Sequence, residues 1–193
     1  MVVIERPLCQ YIDYHKLGGI MCFWSKKYKS VAEIVEGKKE NAKKICSWIL
    51  GSIWYKSDEE NHGVKEYWQT PQETLTGKYR DGKEGEPYSG DCEDFVILAQ
   101  ACLEKMGILS YILGVHTPTE YVGSIPKSYK GHAVLAFQLD DKWYHFSNWG
   151  LKRCWKATKL GEIAPYVYKK GYWQECWFTC GELKKGKIHT YNI

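Results

Sequence analysis

The chain has 193 residues, 44% of them hydrophobic, and a formal charge of only +4 because 27 basic residues face 23 acidic ones. That composition suits one globular domain with a sizeable core. No basic block is long enough for a nucleic-acid tail, no apolar run is long enough to span a bilayer, and eight cysteines are too dilute for a disulfide-stapled mini-fold.

Residues 1–30 show no clear period and read as an N-terminal extension packed on a domain over 31–193. The start, MVVIERPLCQ, carries no signal-peptide pattern. The expectation is a soluble chain, cytoplasmic, with reduced thiols and neither nucleic acid nor membrane as partner. From Val31 to Tyr55, Ile34, Val35, Ala42, Ile45, Cys46, Ile49 and Leu50 recur at helical spacing and predict one helix. Lys56 to Gly63 reads as a polar loop. Thr70-Pro71-x-Glu73 reads as a turn that starts a short helix. KYRDGKEGEPYSG, Lys78 to Gly90, reads as an exposed loop.

A helix then runs from Cys92 to about Met106, capped by Asp91 and stopped by Gly107. Phe95, Leu98, Ala99, Cys102 and Met106 form its apolar stripe, so it is central and mostly buried. Strands are predicted at Leu109 to His116, His132 to Leu139 and Lys142 to Trp149, with a further one inside Lys169 to Cys180. Helices followed by an antiparallel sheet make an α+β pattern. Cys176 and Cys180 have no His or Cys pair at zinc spacing, which argues against a structural zinc site.

The stretch SGDCEDF, from Ser89, sets three carboxylates around one cysteine. As first helical residue, Cys92 lies at the positive end of a helix dipole, where thiol pKa values fall. Its own N–H is an unpaired donor that can meet a developing oxyanion. Asp91, Glu93 and Asp94 oppose ionisation of the thiol. They serve as helix cap or supply oxygen ligands to a hard cation such as calcium.

A thiol nucleophile needs a base, and His132 opens a strand after Gly131. The residue that orients the imidazole depends on the Asp140-Asp141 turn. A two-residue turn puts Ser147 on the His132 face, with His145 as a minor rival. A three-residue loop puts Asn148 there, and Asn148 is preferred because an amide oxygen accepts from a ring N–H better than a hydroxyl does.

EYWQTPQETL, GDCEDFVILAQACLEKMGI, GHAVLAF and WYHFSNW together resemble the transglutaminase-like superfamily, and within it the bacterial transglutaminase-like cysteine proteinases. The resemblance runs from Ala42 to Trp149. It implies a papain-like core with a nucleophile helix packed on an antiparallel sheet, Cys92 as nucleophile and His132 as base. It further implies calcium at the carboxylates beside the cysteine, and Trp68 or Gln69 as weak candidates for holding an oxyanion or substrate. Ser147 stands where the family usually has Asp. Two readings follow. One is a thiol enzyme that hydrolyses, or transfers the acyl group of, a peptide or glutamine-type amide in a protein or peptide substrate, through a Cys-His-Asn/Ser site, with no cofactor required and calcium as a candidate ion only. The other is a weak or inactive fold used as a protein- or peptide-binding module. Cys92 Sγ within hydrogen-bond reach of a His132 nitrogen favours the first, and a His132 that points away favours the second.

Overall fold

A computed structural model of the chain describes residues 27–169, 173–177 and 189–191. The expected N-terminal extension, except for its last four residues, lies outside them, as does Cys180. Among the described residues, no helix is long and apolar enough to cross a membrane, and Cys46, Cys92, Cys102 and Cys154 are free thiols.

The single helix expected over Val31–Tyr55 is two helices, α1 (Val31–Gly37) and α2 (Ala42–Ser52). Lys39 and Glu40 adopt positive φ between them. Asn41 restarts the helix by accepting the Lys44 N–H at 3.0 Å. The polar run between Val35 and Ala42 leaves no apolar position to hold a continuous helix on the core, and a Cβ at Gly37 would overlap the Tyr28 ring. A short strand β1 (Trp54–Tyr55) follows, then α3 (Asp58–His62) where a loop was expected. Its start is a capping box, with Ser57 and Glu60 satisfying each other's backbone N–H. A second capping box, Thr70 with Glu73, opens α4 (Pro71–Thr76) as the sequence suggests. The Lys78–Gly90 loop is less exposed than expected, with Tyr79, Tyr88 and Ser89 buried. Its last two residues form β2 (Ser89–Gly90), parallel to β1.

Helix α5 (Cys92–Lys105) is the centre of the molecule. It packs on one face of a six-stranded sheet in the order β6-β5-β4-β3-β7-β8. The strands are β3 (Ser110–Val122), β4 (Ile125–Leu139), β5 (Lys142–Ser147), β6 (Gly150–Arg153), β7 (Trp173–Trp177) and β8 (His189–Tyr191), and all pairings are antiparallel. Strand alternation divides the core. Ala133, Leu135, Phe137 and Phe146 face α5 with Phe95, Leu98 and Cys102. Leu113, Val115, Val134 and Ala136 face a second cluster that includes Trp143, Cys154 and Ile163.

Leu139 pairs with Lys142, so the β4–β5 turn has two residues. Asp140 and Asp141 have φ of 50° and 57°, the type I′ pattern that favours Asn-Gly. Replacing Asp140-Asp141 by Asn-Gly should stabilise the protein by about 0.5–1 kcal/mol in urea melts. No gain would mean that the aspartates carry compensating contacts.

Candidate active site

Gly90 and Asp91 set up the start of α5. Asp91 accepts the Glu93 N–H at 3.3 Å, and Asp94 accepts the Asp91 N–H at 3.1 Å, which makes a reciprocal cap. A Cβ at Gly90 would lie 2.5 Å from Asp94 Oδ2, so glycine is what lets that carboxylate fold back. Asp94 is fully buried and also accepts the Gln69 N–H at 2.8 Å and the Gln69 side-chain amide at 2.9 Å. Burial, then the nearby Asp91 carboxyl, pushes its pKa well up against these donors.

Gln69 is thus a brace. Its amide nitrogen donates to Asp94 and to the Ser89 carbonyl, so both of its protons are spent and the oxyanion role suggested for it is not met. Trp68 packs at the edge of the α5 core, and its carbonyl accepts from Arg80 at 2.7 Å.

Cys92 is the first residue of α5, as expected. Its thiol donates to Glu93 Oε2 at 3.1 Å. Although the residue keeps some surface exposure, burial is the largest cause pushing its pKa well above the usual thiol value. Glu93 and Asp91 add to the rise, while the Ala133 backbone N–H facing the sulfur opposes it. Asp91 and Glu93 are hydrogen-bonded to each other through their carboxyls. Burial and this neighbour raise Asp91 to about 9, and burial raises Glu93 as well. Burial and mutual repulsion thus disfavour the charged forms of the thiol and of both carboxyls.

His132 lies on β4 opposite Val115 and next to Ala133. Alternation puts its ring on the face away from α5, where it stacks on Trp149 with centroids 3.6 Å apart and an interplanar angle of 14°. No hydrogen bond joins it to Cys92, and its Nε2 is buried without a partner among the described residues. Burial, then His145 and Lys152, lowers its pKa to about 3.

The two-residue turn settles the register against the three-residue loop on which the preference for Asn148 stood. Counting back from the Leu135–Phe146 pair puts Ser147 opposite Val134, on the His132 face. Asn148 and Trp149 instead form the tight turn between β5 and β6, since Ser147 pairs with Gly150. The Ser147 hydroxyl accepts the Trp149 N–H at 3.1 Å and is not bonded to His132. Asn148 Oδ1 is buried with no partner among the described residues. His145 pairs with Ala136 and so also shares the His132 face. Both of its ring nitrogens are buried and unpartnered, and burial lowers its pKa to about 4.

A buried neutral histidine binds fewer protons folded than unfolded. Its stabilisation is complete above the unfolded value of 6.5 and is lost as pH falls toward the folded value. The raised carboxyls act in the opposite direction, so the effect is read by difference. His145→Gln should cost about 1–2 kcal/mol less at pH 5 than at pH 7 in paired denaturant melts. A cost independent of pH would contradict a buried neutral ring.

Of the residues singled out by sequence, the structure brings Cys92, Asp91 and Glu93 together at the start of α5, with the Ala133 backbone facing the sulfur. It places His132, Ser147 and His145 on one sheet face, with Trp149 stacked on His132. Trp149 as a ring partner was not foreseen, although it stood in the WYHFSNW stretch. Residues 28–147 match the family model described as the transglutaminase-like superfamily. Comparison with curated proteins gave no match. The family match covers more than half of a chain that has its cysteine at the start of a central helix and its histidine on the adjoining sheet, and the chain belongs to the transglutaminase-like superfamily.

Proposed function

We propose that the chain is a thiol-dependent enzyme acting on a peptide or glutamine-type amide, with Cys92 as nucleophile and His132 as base on a papain-like core. The observation that supports this most is the placement of Cys92. It starts a buried helix with its sulfur facing the N–H of Ala133, the residue after His132. In the reaction the Cys92 proton passes to the His132 imidazole and the sulfur attacks the carbonyl carbon. The Cys92 N–H receives the oxyanion. The C–N bond then breaks, the amine leaves with the imidazolium proton, and water or a second amine cleaves the thioester. Hydrolysis is the favoured outcome. Burial disfavours thiolate and imidazolium separately, and a close ion pair offsets both costs. In the described arrangement the His132 ring lies on the face of β4 away from α5, stacked on Trp149, so the reaction requires the ring to leave that stack and the strand to turn it toward the sulfur. Ser147 shares the His132 face and is assigned the role of orienting the ring, for which its hydroxyl must leave the Trp149 N–H.

Calcium fits part of the carboxyl set. Ligand atoms of Asp91, Cys92 and Glu93 lie within 4.8 Å of one another, and two facing carboxyls that otherwise hold a proton suit a hard cation. Ligand atoms of Asp58, Asp91 and Asp94 also lie within 4.8 Å of one another, but there the Asp94 oxygens already accept three N–H donors. When bound, the ion supplies positive charge beside the thiol and so favours the thiolate. Because calcium displaces the shared proton, its binding should strengthen as pH rises toward 9. Calcium should raise the melting temperature more at pH 8 than at pH 6, and Glu93→Gln should abolish the rise. Equal melting with calcium and with a chelator at both pH values would remove the ion from the account.

The second reading, a binding module, is favoured by the missing Cys92–His132 hydrogen bond. A screen of peptide and glutamine-amide substrates separates the two. Turnover in wild type that disappears in Cys92→Ala supports the enzyme. Its absence across the screen, with peptide binding retained, supports the module.

A further inference from the structure

Strands β3 and β4 continue past their other partners. β7 pairs with β3 only from Ile112 to His116, and β5 pairs with β4 only from Leu135 to Leu139. Beyond these limits the two strands pair, among the described residues, only with each other, as an arm. Its root is packed, with Thr117 and Ser128 buried. Its outer part is bare, and residues 119–125 are all exposed. The arm ends in a turn at Gly123-Ser124, with Gly123 at φ 63° in the first turn position, the glycine-first pattern of a tight type II′ hairpin.

Tyr121, Val122 and Ile125 are 58%, 65% and 72% exposed. Val122 pairs with Ile125 and shares a face with it, while Tyr121, one residue earlier, lies on the opposite face. The tip is therefore apolar on both sides. A flat protein partner would cover one side and leave the other in water, whereas a medium that surrounds the tip buries both. Residues 121–125 carry no charge. Directly behind them a polar collar begins: Glu120 pairs with Lys127 at 3.8 Å, and the Thr119 and Ser128 hydroxyls share a hydrogen bond of 2.6 Å. An apolar end, a tyrosine and a polar collar match the layers of a bilayer interface, where tyrosine is favoured at headgroup level. The collar limits depth, so the backbone groups of the turn stay within reach of interfacial water. Behind the tip Lys127 and Lys130 outnumber Glu120, in a chain of net charge +4, which favours an anionic leaflet.

We propose that the arm tip, residues 121–125, inserts into the interface of an anionic lipid bilayer and holds the chain at a membrane surface without spanning it. The sequence led to the opposite expectation because a hairpin end this short makes no apolar run. The hairpin is already paired, so little ordering opposes insertion. The proposal does not depend on the chemistry of Cys92.

The test is cosedimentation of the full chain with vesicles of phosphatidylcholine and phosphatidylglycerol in equal parts. Wild type should pellet with the vesicles. Val122→Ser combined with Ile125→Ser should weaken binding by about tenfold or more, with the urea midpoint unchanged because both side chains are exposed. Tyr121→Ser should weaken it as well, since both faces of the tip insert. Trp155→Ser removes an aromatic ring 73% exposed elsewhere on the surface and should leave binding at the wild-type level. Wild type that stays in the supernatant overturns the proposal, as do tip variants that bind like wild type or an equal loss in Trp155→Ser. Self-association of wild type without vesicle binding, lost in the tip variants, would make the occupant a second copy of the chain and overturn the lipid.

Discussion

Asp94→Ala should destabilise the protein by about 3–5 kcal/mol, a large share of the roughly 5–15 kcal/mol available to a domain of this kind. The carboxylate is wholly buried and accepts three N–H groups, from the Gln69 backbone, the Gln69 side chain and Asp91. Alanine leaves all three donors without an acceptor in a space that water does not reach. It also breaks the cap of α5 and unties the segment before α4 from the start of the helix. Asp94→Asn should cost less, because its oxygen keeps part of the set while its NH2 faces donors. Urea melts of the two variants check this order. A cost below about 1 kcal/mol for alanine would mean that solvent or a relaxed loop replaces the carboxylate.

This brace was only half visible in the sequence. The carboxylates around Cys92 marked a helix start, and Asp91 caps it as read. That Asp94 turns inward to Gln69, 25 residues earlier, leaves no local trace because the partners meet only in the folded chain. The α3 start was legible and passed over: Ser57-x-x-Glu60 is a capping-box spacing, masked by the polarity of its neighbours. The ends of β3 and β4 were missed for another reason. Residues 117–131 alternate too weakly to signal burial, and pairing within the arm holds them as strands. The β4–β5 turn was found, but Asp-Asp fits two loop lengths, and only the register separates Ser147 from Asn148 on the His132 face.

His132→Gln should lower the rate of acyl-enzyme formation by about 10²–10⁴, the usual range for loss of a general base, while leaving peptide binding close to wild type. Ser147→Asp tests the same ring from the other side. A carboxylate on the His132 face favours the imidazolium, so the low-pH limb of activity should move upward by a unit or more and turnover should rise by about tenfold. Ser147→Ala should lower turnover more than Asn148→Ala, since the register places only Ser147 on that face. The reverse ranking would return the orienting role to Asn148. If neither change alters turnover, the site reduces to a Cys92–His132 pair.

The most direct measurement is the intact mass of the full chain, taken during reaction with activated esters of an acetylated peptide and followed by mapping of the adduct. The account predicts a single acyl adduct on Cys92 that decays in water. It predicts no adduct in Cys92→Ala and markedly slower formation in His132→Gln. Adducts spread over several cysteines, or a Cys92 adduct that forms at the same rate without His132, would contradict it.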